Sequence, residues 1–97
     1  MVEMKYLKFE IKIHDDFSVY EDINSNIECL INCKTFKEAK FIVEKSVKDY
    51  NWKLGDCIDE KVLIFNEIEN DLLKEQYLKA IELGESYIIN SKPNRKS

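Results

Sequence analysis

Residues 6–14 alternate without a break. Leu7, Phe9, Ile11 and Ile13 fall on one parity, and Lys8, Glu10, Lys12 and His14 fall on the other. Successive side chains of a strand point to opposite faces, so this is the period of a half-buried strand, and no helix sorts these residues in that way. The chain is thereby committed to a sheet. Ile27, Cys29, Ile31 and Cys33 repeat the odd parity with Glu28 and Asn32 between them, which predicts a second strand, antiparallel to the first.

Thr35 followed by Glu38 has the spacing of a capping box, and Phe36, Ala39, Val43, Val47 and Tyr50 then recur at helical intervals. The spacing predicts a helix over residues 36–50, stopped by Asn51. Residues 52–59 read as a connection or a short edge strand. Val62, Leu63, Ile64 and Phe65 form an unbroken apolar run that suits a strand buried on both sides. Asn70 and Asp71 supply an N-cap and a first-turn acid for a second helix, whose apolar side holds Leu72, Leu73, Tyr77, Ala80, Ile81 and Leu83 and which Gly84 closes. Ser18 and Glu21 fit a short helical turn, residues 87–89 a last short strand, and residues 91–97 a disordered polar tail holding the one proline. The order β-β-α-β-α-(β) predicts a single α+β domain over residues 1–90. Its architecture is expected to be a two-layer sandwich, with a small, mainly antiparallel sheet and two helices on one face. Phe9, Ile11, Ile31, Val43, Val47 and Ile64 are its expected core.

With 97 residues there is room for one modest core but not for a second domain. The charge is uneven. The chain carries a net −4, while residues 51–85 alone hold nine acids against four bases. Asp56, Asp59, Glu60, Glu67, Glu69, Asp71 and Glu75 form an acidic strip that would repel phosphates and attract a basic surface. Direct nucleic-acid binding across the whole surface is therefore disfavoured. No apolar run approaches a membrane span, and the N-terminus lacks the unbroken apolar stretch of an export signal. Three cysteines, an odd number, fit reduced thiols, so a cytoplasmic location without membrane association is expected. The abundance of Lys, Ile and Asn suits an AT-rich coding genome, such as those of some bacteria and their phages.

Catalytic fingerprints are missing: the sequence has no GxGxxG, GKS/T, HExxH or GxSxG. Cys29, Cys33, Cys57 and His14 could in principle supply four zinc ligands. Residues four apart on one strand, however, lie about 13 Å apart, so Cys29 and Cys33 read as core residues and no metal or cofactor is expected. His14 beside Asp15 and Asp16 reads as a solvated turn, as do the Asp15/Asp16 and Asp59/Glu60 pairs.

Phe41 is the unusual residue. At about 100° per residue it falls opposite the apolar stripe of the first helix, among Lys37, Lys45 and Lys48. Such an aromatic can anchor a partner or stack on a single-stranded base. Leu78 lies off the apolar side of the second helix in the same manner, and self-association as a homodimer is one reading of these two apolars. Trp52 reads as core or a half-buried edge residue. The leading functional expectation is a small acidic, non-catalytic protein-binding module. In its specific form it is a phage or mobile-element inhibitor that mimics nucleic acid and occupies the basic surface of a nuclease or another nucleic-acid-processing protein. The alternative is a single-stranded nucleic-acid-binding domain built on Lys37, Phe41, Lys45 and Lys48.

Overall fold

The computed structural model describes residues 3–12, 24–50 and 52–91. The chain runs β1 (Glu3–Lys12), β2 (Asn24–Cys33), α1 (Phe36–Asp49), β3 (Lys53–Leu63), a 3-10 turn (Phe65–Glu67), α2 (Asp71–Leu83) and β4 (Glu85–Ser91). This is the expected α+β order. The strands form one antiparallel sheet, ordered β3-β1-β2-β4. Because β2 and β3 both run antiparallel to β1, they are parallel to each other, and α1 is the crossover that such a pair requires. The expected turn at Ser18 and Glu21, and the tail beyond residue 91, lie outside the described residues.

Opposite neighbours in an antiparallel pair share a face, so the register Leu7↔Cys29, Phe9↔Ile27 and Lys5↔Ile31 collects the odd residues of β1 and β2 on one side. On that side α1 lays down Ala39, Val43 and Val47, all buried, and closes the larger core with Leu7, Phe9, Ile11, Ile27, Cys29 and Ile31. The even side is not wholly polar. Met4, Tyr6 and Leu30 point there and are buried with Leu63, Ile68 and Ala80 in a second core beneath α2. The two helices therefore pack on opposite faces of the sheet, which corrects the expectation that they share one. The cause lies in these three apolar even positions, which demand a cover of their own.

Two further expectations are corrected around β3. Residues 53–59 form an edge strand, one of the two readings of that stretch, but the strand continues to Leu63 and stays at the edge, so the apolar run at residues 62–65 is not a central strand. At Ile64 the chain leaves the sheet for the 3-10 turn, and Ile64 is 54% exposed rather than core. Phe9, Ile11, Ile31, Val43 and Val47 are buried as expected. On α2, Leu72, Ile81 and Leu83 are exposed, so the buried stripe narrows to Leu73, Tyr77 and Ala80. Both helix starts and the second stop form as read. Thr35 Oγ1 accepts the Glu38 amide at 3.2 Å, Asn70 Oδ1 accepts the Leu72 and Leu73 amides, and Gly84 adopts φ 88°. Among the described residues no helix is long and apolar enough to cross a membrane.

Candidate functional site

The acidic strip begins on β3, an edge strand paired only with β1. Asp56, Asp59 and Glu60 are exposed there, but Asp59 stands opposite Lys8 and Glu60 opposite Leu7, so these two carboxylates point to opposite faces and cannot share one cation. Each has a lysine partner. Glu60 Oε2 lies 3.1 Å from Lys40 Nζ of α1, and Asp59 Oδ2 lies 3.7 Å from Lys61 Nζ. The Glu60 hydrogen bond and charge raise the Lys40 pKa above its ordinary value. Glu67, Glu69, Asp71 and Glu75 form a second group where β3 gives way to the 3-10 turn and the start of α2. All four are exposed and, among the described residues, make no ion pair. Glu67 and Glu69 rim a shallow depression of about 400 Å³ with Leu63, Ile64, Ile68 and Leu73 in its lining. The sequence strip is thus two separate groups, one on β3 and one at the 3-10 turn and the start of α2.

The four residues of the helix patch are exposed on α1. Ala39, Val43 and Val47 fix one side of α1 against the sheet, which turns Phe41 outward at 69% exposed among the exposed Lys37, Lys45 and Lys48. Leu78 is likewise exposed.

Cys29 and Cys33 lie buried on the α1 side of β2, and Cys57 is exposed on β3. Burial pushes all three thiols above their ordinary pKa. The Cys33 thiol donates to the Thr35 carbonyl at 3.2 Å, and Glu60 adds to the burial effect at Cys57. Since the thiolate is the nucleophile and the metal ligand, these environments work against both roles. No group of three His, Cys, Asp or Glu side chains is placed to hold a metal among the described residues. His14, Asp15 and Asp16 lie outside them.

Two arrangements escaped the sequence reading. On the even face, Tyr6 Oη donates to Glu28 Oε1 at 2.5 Å, and Asn90 Nδ2 donates to Glu28 Oε2 at 3.0 Å, joining β1, β2 and β4. On the other face, between the end of α1 and β4, Tyr50 stacks on Trp52 at 5.0 Å and Tyr87 Oη donates to Ser46 Oγ at 3.0 Å. These residues line an apolar cleft of about 210 Å³ with Ile27, Val47 and Ile89. Trp52 is half-buried, one of the two placements its sequence position suggested. Nothing in the sequence pairs Trp52 with Tyr87, because the sheet order alone brings them together.

No protein-family model, curated protein or solved structure matches this chain.

Proposed function

We propose that this chain is a small acidic protein-binding module that acts by occupying the basic surface of a partner. The observation that carries this reading is the second acidic group. Glu67, Glu69, Asp71 and Glu75 project from one short stretch, outnumber the neighbouring Lys61 and Lys74 and, among the described residues, form no ion pair with them, beside the exposed apolar Ile64 and Phe65. Uncompensated charge steers association and apolar neighbours supply contact area once it has occurred. In its specific form the module is an inhibitor of phage or mobile-element origin. It occupies the nucleic-acid-binding surface of a nuclease or other host nucleic-acid-processing protein.

Affinity capture from the native cell at low salt, with the wild type and with Glu67, Glu69 and Glu75 all changed to Lys, tests the reading. A basic protein retained by the wild type, released by salt and lost by the triple variant is the expected result; equal retention by both proteins refutes it.

One observation favours a second reading. Phe41 is the most solvent-exposed aromatic of the described residues and shares its side of α1 with the exposed Lys37, Lys45 and Lys48, although Glu38 and Glu44 flank it at helical spacing. An exposed aromatic beside lysines can act as a stacking platform for a single-stranded base. Gel-shift titration with single- and double-stranded oligonucleotides separates the two readings. No shift is expected at micromolar protein, whereas a shift abolished by Phe41→Ala would establish the second reading in place of the first.

A further inference from the structure

The two edges of the sheet are built differently. β3 carries Lys53, Asp56, Asp59, Glu60 and Lys61 and is interrupted by two register shifts, the devices by which an edge strand is kept from pairing with other chains. β4 has neither protection. Its seven residues hold one charge, Glu85, and pair with β2 without a register shift.

The backbone phase of β4 follows from one hydrogen bond. The Asn32 amide donates to the Gly84 carbonyl at 3.0 Å, and the register continues from there through Ile31↔Glu85 and Cys29↔Tyr87. In an antiparallel ladder, hydrogen-bonded and non-hydrogen-bonded pairs alternate, so Glu85, Tyr87 and Ile89 turn their N–H and C=O groups away from β2 toward the edge that, among the described residues, no strand covers. Tyr87 and Ile89 are also the β4 residues whose side chains line the aromatic cleft. A strand added at this edge would place residues opposite Tyr87 and Ile89 on the α1 side of the sheet, at the mouth of that cleft.

We infer that the β4 edge and the adjoining cleft form a docking groove for an extended segment of a partner protein, which adds to the sheet as a fifth strand and seats one aromatic or large aliphatic side chain against Tyr50 and Trp52. The main chain supplies affinity and the cleft supplies selection, the division of labour of strand-addition sites. Size limits the cleft to about one side chain, and its one polar wall is the Tyr87 and Ser46 hydroxyl pair, with Ser46 Oγ donating to Glu85 at 3.5 Å. Glu85, held by Ser46, makes that end of the rim acidic, so a basic residue in the bound segment is favoured there. The groove lies on the sheet edge opposite the β3 acids and does not depend on their role.

A library of random nonapeptides displayed on phage, selected against the full chain, is the probe. The expected outcome is a consensus with one aromatic or large aliphatic residue flanked at alternate positions by β-branched residues. A synthetic peptide of that sequence should change the fluorescence of Trp52, the only tryptophan, in a saturable way. Ile89→Lys, at a position 45% exposed, should weaken that peptide by about tenfold or more and leave the melting midpoint unchanged. Replacing the central residue of the peptide by alanine should weaken it similarly. Absence of a consensus, a proline-rich consensus, or binding indifferent to Ile89→Lys overturns the inference. So does dimerisation of the free chain that Ile89→Lys abolishes, since the edge would then belong to a second copy.

Discussion

Tyr6 is a buried phenol whose oxygen donates to a carboxylate. Burial first, and then the hydrogen bond to Glu28, hold its pKa well above the ordinary 10.0. Burial does the same to Cys29, above its ordinary 9.0, and to Tyr87. All three stay neutral in the fold at pH values where the unfolded chain ionises, so their contribution is complete below pH 9.0 and is lost as pH rises through the range above 9.0 and 10.0. The urea midpoint is expected to be level from neutrality to about pH 8.5 and to fall beyond it; a midpoint unchanged at pH 11 contradicts this. Tyr6→Phe should make the alkaline fall shallower and, by removing a bond to a charged acceptor, cost about 1.5–3 kcal/mol at neutral pH, measured by urea denaturation. At this scale much was legible from sequence: Phe41 outward, Cys29 and Cys33 inward. Tyr6 was not. Its neighbours Lys8, Glu10 and Lys12 make its parity look solvated, and its partner Glu28 is found only once the strands are in register.

Among the elements, the two helices carry their boundaries in local chemistry. Asn70 alone satisfies two amides of the first turn of α2, so Asn70→Ala should cost about 1 kcal/mol and lower the melting midpoint without changing the cooperativity of the transition. Strand β3 is the contrary case. Its register against β1 steps from Lys8↔Asp59 to Phe9↔Cys57 and then to Ile11↔Leu54, so β3 spends one extra residue at each step. Each bulge breaks the parity of the sequence, which is why no alternation announces this strand, although its exposure would have made the pattern faint in any case. The glycine marks one bulge physically: a Cβ at Gly55 would stand 2.9 Å from the Glu10 carbonyl oxygen. Gly55→Ala should therefore displace β3 from β1 and lower the midpoint, whereas a midpoint equal to the wild type would show that this approach relaxes freely.

Taken whole, the molecule is a sheet with a helix on each face, and the sequence conveys the order of its elements but not the side to which each helix goes. That choice rests on Met4, Tyr6 and Leu30, which a period-2 reading assigns to the wet face. The larger core depends on α1. Val43 is fully buried against Leu7 and Cys29, so Val43→Asp strands an unpaired carboxylate at a cost comparable to the about 5–15 kcal/mol that holds such a domain together. The variant is expected to be largely unfolded at 25 °C by circular dichroism, and a native spectrum with an unchanged midpoint would refute the packing of α1 on that face.

The strand order also fixes how the domain answers a pull. Strands β1 and β4 run parallel, with Glu3 beside Cys33 at one end of the sheet and Ser91 beside Ser25 at the other. Tension applied through Glu3 and Ser91 slides strands lengthwise and loads whole ladders of hydrogen bonds together, while tension applied through Glu3 and Cys33, which face each other, opens one ladder a rung at a time. Rupture forces in a single-molecule trap should be higher for the first attachment than for the second, because forced unfolding follows the barrier along the direction pulled and not the overall stability. An unfoldase pulling on the chain from beyond Ser91 would meet β4 first, at an edge where β2 is its one strand partner among the described residues. The same protein would thus be stiff when stretched end to end and yielding when peeled from its last strand.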